Sequence, residues 1–136
     1  MQVLVMYYSR TGNTKKLAEE IAKGVQQVEE VKCATKPVSE VTKDDFVNSD
    51  GIIAGSPVYF GAMAAEMKEV FDKFVGIRGE MEDKIGAAFA TSGDPSGGKE
   101  TTIFSHYPGN DDIRHDHRRR PFRCNRSLRC VVCRSA

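Results

Sequence analysis

At 136 residues, 40% of them hydrophobic, the chain has the material for about one domain with its own core, and no apolar run reaches the roughly 18 residues of a membrane-spanning helix. No basic start leads into an apolar stretch and a cleavage site, which argues against export and predicts a cytoplasmic protein. The formal net charge of +1 conceals a division, because residues 105–136 hold eight arginines and three aspartates (+5) and residues 1–104 therefore carry −4. All ten lysines precede residue 105, whereas all three histidines and three of the four cysteines follow it. A shift of this kind marks a boundary, so the expected organisation is a domain over 1–104 and an irregular basic segment over 105–136.

The body alternates strand and helix patterns. Residues 3–8 (VLVMYY) form a continuous apolar run, as in a strand buried on both faces. After the polar loop SRTGNT, Leu17, Ala18, Ile21, Val25 and Val28 recur at helical spacing, opposite Lys15, Lys16, Glu19, Glu20 and Lys23. A short second strand is expected at 31–34, then a polar connection over 37–50 with a helical turn. GIIAGS, residues 51–56, is a second buried run, and Met63, Met67, Val70, Phe71 and Phe74 mark a second amphipathic helix. Residues 85–90 read as another buried strand, 91–98 as a Gly-rich loop, and 99–104 as the start of a third helix.

This alternation predicts a parallel sheet with helices on both faces. Ligands of such sheets lie beyond the carboxyl ends of the strands, near the switch in strand order. Three loops leave strand ends here, at 9–14, 57–62 and 91–98, and all three should share one edge. In the first, a helix start offers backbone N–H groups without helical partners and the positive end of a dipole. Ser9, Thr11 and Thr14 add hydroxyls and Asn13 an amide, while Gly12 permits close approach. The set suits a phosphate held by neutral donors; neither GxxxxGK[ST] nor GxGxxG occurs. An ordinary capped helix start would use the same residue types. In the second loop Tyr59 and Phe60 stand beside Gly61 and could cover a flat ring, or fold back into the core. The third, TSGDPSGGKETT, has three glycines for close approach to a planar ligand, or for a surface turn. Cys33 reads as a small core or strand residue, and no residue of the body stands out as a catalytic group.

SRTGNT, SPVYFGAM and TSGDPSGGKETT together resemble the three FMN-binding loops of the flavodoxin-like superfamily. The closest likeness is to NAD(P)H:quinone oxidoreductases of the tryptophan-repressor-binding-protein type and the short flavodoxin-family proteins near them. The resemblance covers residues 1–104. It implies an α/β fold, a doubly wound parallel sheet of order 2-1-3-4 in three αβα layers, with the family's fifth strand missing. It implies Ser9, Arg10, Thr11, Gly12, Asn13 and Thr14 around the FMN phosphate, and Pro57, Val58, Tyr59, Phe60 and Gly61 beside the isoalloxazine ring. Thr91, Ser92, Gly93 and Gly97 would line the ring's other edge. The implied function is an oxidoreductase taking electrons from NAD(P)H to a quinone; the alternative is a flavodoxin-type electron carrier without its own substrate turnover. A homo-oligomer is also implied, since the quinone reductases it resembles are tetramers. No membrane or nucleic-acid partner is expected.

Beyond TTIFS the family pattern would continue with an apolar strand, yet residues 106–136 show no sustained period. Cys130-x-x-Cys133 with His115-x-His117 could supply four zinc ligands, and the arginines could meet nucleic-acid phosphates. Neither has a supporting motif, and no metal is expected. Back-translated and reread one base later, residues 106–135 can yield IIQAMMIYGMIIVGDPFDATGHYGALCVG. This resembles the family's own continuation, and the middle bases of the present codons almost fix its GDPFDATGHYG part. The expectation is a shifted reading frame from about Ser105 or His106.

Overall fold

The structure is a computed structural model describing residues 1–95 and 97–106. Its first strand, β1 (Gln2–Tyr7), is buried from Val3 onward, as its unbroken apolar run requires. Strand β2 (Lys32–Pro37) pairs with β1 in parallel, from Gln2↔Lys32 to Tyr7↔Pro37. On the other side β3 (Gly51–Tyr59) runs parallel to β1, from Val3↔Gly51 to Tyr7↔Gly55. A two-residue strand, β4 (Ala62–Met63), folds back antiparallel on the end of β3. The next long strand, β5 (Ile85–Thr91), pairs in parallel with β3 from Gly51↔Ile85 to Pro57↔Thr91. The parallel order is thus β2-β1-β3-β5. It is the expected 2-1-3-4 order, with the small hairpin strand β4 added between the third and fourth parallel strands.

Helix α1 (Asn13–Gln26) crosses from β1 to β2 and packs Ala18 and Ala22 against Val3, Val5, Tyr7 and Phe89 on one face of the sheet. Leu17, Ile21 and Val25 are partly buried beside them. Val28, expected on the same stripe, is instead 57% exposed, because the helix ends at Gln26 and the Gln27 N–H turns back onto Gly24 and Val25 carbonyls. The polar connection 37–50 contains two elements, a 3-10 turn (Val38–Glu40) and helix α2 (Lys43–Val47). With α3 (Ala65–Lys73) and a second 3-10 segment (Val75–Met81), they cover the opposite face, where Leu4, Met6, Ile52 and Ala54 meet Phe46, Met67, Val70 and Ile77. Met63, expected to open α3, lies in β4, because the hairpin takes two residues before the helix begins. Helix α4 (Lys99–Ser105) sets Ile103 against Ala88 and Ala90. Among the described residues, no helix is long and apolar enough to cross a membrane. The zinc, arginine-cluster and reading-frame expectations for 107–136 lie outside the described residues.

Two local devices hold this frame. Gly55 and Phe89 are register partners, and a Cβ on Gly55 would lie 1.9 Å from Phe89 Cζ. The Phe89 ring, 1% exposed, therefore lies directly over glycine backbone. Helix α2 opens with a capping box: the Asp45 N–H donates to Thr42 Oγ1 at 3.3 Å, and the Thr42 N–H donates to Asp45 Oδ2 at 2.8 Å. Lys36 Nζ adds a bond to Asp45 Oδ1 at 2.8 Å, tying β2 to the helix start. Burial pushes the Asp45 carboxyl up, but the bonds from Lys36 and Thr42 outweigh it and hold the carboxyl below the ordinary carboxylate value.

Two outcomes follow for stability. Gly55→Ala should destabilise the protein by about 1–3 kcal/mol or more in urea denaturation, since the ring above cannot move without repacking α1. Asp45→Asn should cost about 1 kcal/mol at neutral pH. The native Asp45 pKa is depressed, so its contribution is present above the unfolded value near 4 and is lost as pH falls through the native one. The gap between wild type and Asp45→Asn should therefore begin to narrow in denaturation curves below about pH 4 and close as pH falls through the native value; a gap constant with pH would remove the charge from the account.

Candidate functional site

The carboxyl ends of β1, β3 and β5 point the same way, and their following loops meet at one edge. In the first loop the Gly12 N–H donates to Ser9 Oγ at 3.1 Å, which bends the chain back before the helix. Gly12 is the N-cap of α1 with φ of +91°, a left-handed conformation that favours glycine. The α1 start has no side-chain cap and no acidic residue in its first turn. Among the described residues, the N–H groups of Asn13, Thr14 and Lys15 find no acceptor. Arg10, Thr11 and Asn13 are exposed around this opening. Thr14 is 2% exposed, and its hydroxyl lies 2.8 Å from that of Thr91, so it joins the first loop to the end of β5.

At the second loop Pro57 and Val58, near the end of β3, are half-buried, while Tyr59, its last residue, and Phe60 are exposed. Phe60 is fully exposed at φ of +52°, and Gly61 follows at +79°. An apolar ring held out at a tight turn is costly to leave in water. The third loop docks on this turn. A Cβ on Gly98, whose φ is +80°, would stand 3.1 Å from Gly61 Cα. Thr101 Oγ1 lies 2.7 Å from the Gly61 carbonyl and 2.8 Å from the Gly98 carbonyl, to which its single proton donates in turn. Ser92 Oγ donates to the Asp94 carbonyl at 2.8 Å and accepts the Asp94 N–H at 3.1 Å. A Cβ on Gly97 would fall 2.0 Å from Ser92 Oγ, and Gly93 is exposed nearby in sequence.

Four contributors carry no sequence signal for their roles. Ser56, fully buried, accepts the Ala64 N–H at 2.8 Å and so anchors the start of α3 beneath the second loop. Thr101 and Gly98 make the junction just described. Tyr8 stacks edge-on to Tyr59 at a centroid distance of 6.5 Å, linking the first loop to the second. The nearby Glu66 carboxylate raises the Tyr8 pKa, with help from burial. The same proximity, with Glu66's own backbone N–H and then Arg10, lowers the Glu66 pKa. Among the described residues, no three His, Cys, Asp or Glu side chains are grouped to hold a metal ion.

The parallel order and the three-loop edge define a flavodoxin-like α/β protein. Residues 1–104 match the family described as NADPH-dependent FMN reductase, and the chain belongs to that family of flavodoxin-like FMN proteins. It is 43% identical over 105 residues to a protein named flavodoxin from Aquifex aeolicus (strain VF5), covering 76% of this chain and 57% of the relative. The chain thus spans little more than half the length of that curated relative. Among solved structures it resembles a flavodoxin from the domain Archaea, with a TM-score of 0.70 at 27% identity, over 83% of this chain and 75% of the other. A Fusobacterium nucleatum flavodoxin bound to flavin mononucleotide shares the fold, with a TM-score of 0.67 at 18% identity over 82% and 65% of the two chains.

The loop junctions are testable without any ligand. Thr14→Val and Thr91→Val should each lower stability by about 1 kcal/mol, and the double variant by clearly less than the sum. Additive losses in a double-mutant cycle would mean that the two hydroxyls do not act as a pair.

Proposed function

We propose that the chain binds FMN in the three-loop cradle and passes electrons from NAD(P)H to a quinone-type acceptor. The observation carrying this reading is the uncapped α1 start: three free N–H groups at a glycine N-cap, beside an exposed ring on the neighbouring loop. A phosphate satisfies those donors and gains from the helix dipole. In this reading Ser9, Arg10, Thr11, Gly12, Asn13 and Thr14 surround the phosphate. Thr14 acts through its bond to Thr91, which fixes the helix start against β5. Pro57, Val58, Tyr59, Phe60 and Gly61 flank one side of the isoalloxazine, with Phe60 and Tyr59 excluding water from it. Thr91, Ser92, Gly93 and Gly97 lie along its other edge. Bound FMN would supply the hydride and electron-transfer chemistry, and the protein its position and electrostatic surroundings.

The family description supports NAD(P)H as donor. A second reading, an electron carrier without its own substrate turnover, is favoured by the name of the 43% identical relative. In both, residues 1–104 are the flavin unit and 105–136 a separate basic segment, cytoplasmic with the rest. The coding DNA tests the shifted frame directly: a plausible one-base offset near the codons for Ser105 and His106 supports it, and its absence ends it.

Titration of the full 136-residue chain with FMN should quench flavin fluorescence saturably. Thr11→Ala should weaken the affinity about tenfold, the scale of one hydrogen bond to a charged group. Riboflavin, lacking the phosphate, should bind more weakly and be insensitive to Thr11→Ala. Equal binding of FMN and riboflavin would remove the phosphate cradle. Steady oxidation of NADPH with a quinone separates the reductase from the carrier.

A further inference from the structure

Helix α4 grips the second loop at two points one turn apart. Thr101 Oγ1 meets the Gly61 carbonyl, and Ser105 Oγ accepts the Met63 N–H at 3.3 Å. Between these points lies the β4 hairpin, which pairs back on Val58 and Tyr59. The second grip belongs to a short chain of bonds. Ser105 Oγ donates to the Thr102 carbonyl at 2.6 Å, and His106 Nδ1 lies 2.8 Å from the same oxygen. A carbonyl only accepts, so Nδ1 carries the proton and Nε2 is bare. Nε2 is buried and has no partner among the described residues. The imidazole stands edge-on to Phe71 of α3, with 6.3 Å between ring centroids, and Phe71 packs against the core. Burial holds the His106 pKa below the ordinary histidine value, against a weaker opposite pull from the Thr102 carbonyl.

Among the described residues no charge is placed to compensate a proton on Nε2. The charged residues of α3 nearest Phe71 are Lys68 and Asp72, which pair with each other. Glu66, Glu69 and Lys73 fall on the far side of that helix. In α4 only Lys99 and Glu100 are charged, both in its first turn, and β4 has no titratable side chain.

We infer that His106 is an acid-released latch on the second loop. Neutral and docked on Phe71, it holds the end of α4 and, through Ser105, the β4 hairpin; protonated on Nε2, it leaves that place and the hairpin loosens. A buried N–H with no acceptor is costly, and a seven-residue helix is too short to keep its last turn unaided. A released imidazole takes up a proton near pH 6.5, and the docked one only at lower pH. The latch is therefore at full strength above that value. It weakens as pH falls toward the docked value, by up to about tenfold for each pH unit. In the flavin reading, acid then loosens the hold on the flat ring and leaves the phosphate cradle as it is; the latch itself does not rest on that reading.

Amide hydrogen exchange of the full 136-residue chain without ligand, between about pH 5 and pH 8, tests the latch. The protection factor of the Met63 amide should be constant above about pH 6.5 and fall below it. That of the Tyr8 amide, bonded to the Gly55 carbonyl, should not change. His106→Leu keeps an apolar side chain against Phe71, and His106→Gln keeps a donor for the Thr102 carbonyl; each should flatten the Met63 profile. A flat wild-type profile, a fall that survives in either variant, or a parallel fall at Tyr8 would each overturn the inference. Riboflavin, which has no phosphate to titrate, should bind the wild type several-fold more weakly at about pH 5.5 than at about pH 7.5, and His106→Leu equally at both. A riboflavin affinity constant with pH, beside a falling Met63 protection, would overturn the effect on the ring. If Met63 behaves as stated and no flavin binds, the flavin reading falls and the latch stands. A flat Met63 profile with saturable flavin binding discards the latch alone.

Discussion

The helix start at the functional edge depends on the Phe89 ring lying over the bare backbone of Gly55. The two residues are register partners in adjacent parallel strands. In an ordinary pair their side chains would stand side by side; here the ring occupies the space of the absent one. With that volume already filled, the helix above can present only small side chains, and α1 buries Ala18 and Ala22. Close packing lowers the whole helix onto the sheet. Its first turn then reaches the end of β5, where Thr14 and Thr91 bond at 2.8 Å. The position of the free N–H groups is thus set by core packing two turns away, rather than by the loop that carries them.

The second and third loops are held by a different kind of contact. Gly61 and Gly98 both have positive φ, which strains a side chain at either, and a Cβ on Gly98 would stand 3.1 Å from Gly61 Cα. Thr101 Oγ1 sits between their carbonyls. Backbone contacts of this kind position loops without filling the space above them. Phe60 stands exposed beside this junction. Ser56 completes the arrangement from below by fixing the start of α3.

Much of this was legible in the residue pattern, for identifiable reasons. Strands buried on both faces read as unbroken apolar runs, so β1, β3 and β5 could be placed within a few residues. The polar insert after β1 and the glycines after β5 marked the loops, because only such residues suit a helix start or a close approach. Strand β2 was less visible, since its residues are only half-buried at the sheet edge and carry two lysines. Helix α2 spans five residues, too few for a periodicity, and its signature is the Thr42–Asp45 cap. The Tyr8–Tyr59 and Gly61–Gly98 contacts join residues far apart in sequence, and no local pattern encodes them.

Tyr8 shows how these parts act on one another. It is the first residue beyond β1, its N–H donates to the Gly55 carbonyl at 2.9 Å, and its ring meets Tyr59. Its phenol reaches Glu66 in the first turn of α3. One side chain therefore stands at the entry of the first loop, meets the Tyr59 ring of the second and lies near the first turn of α3.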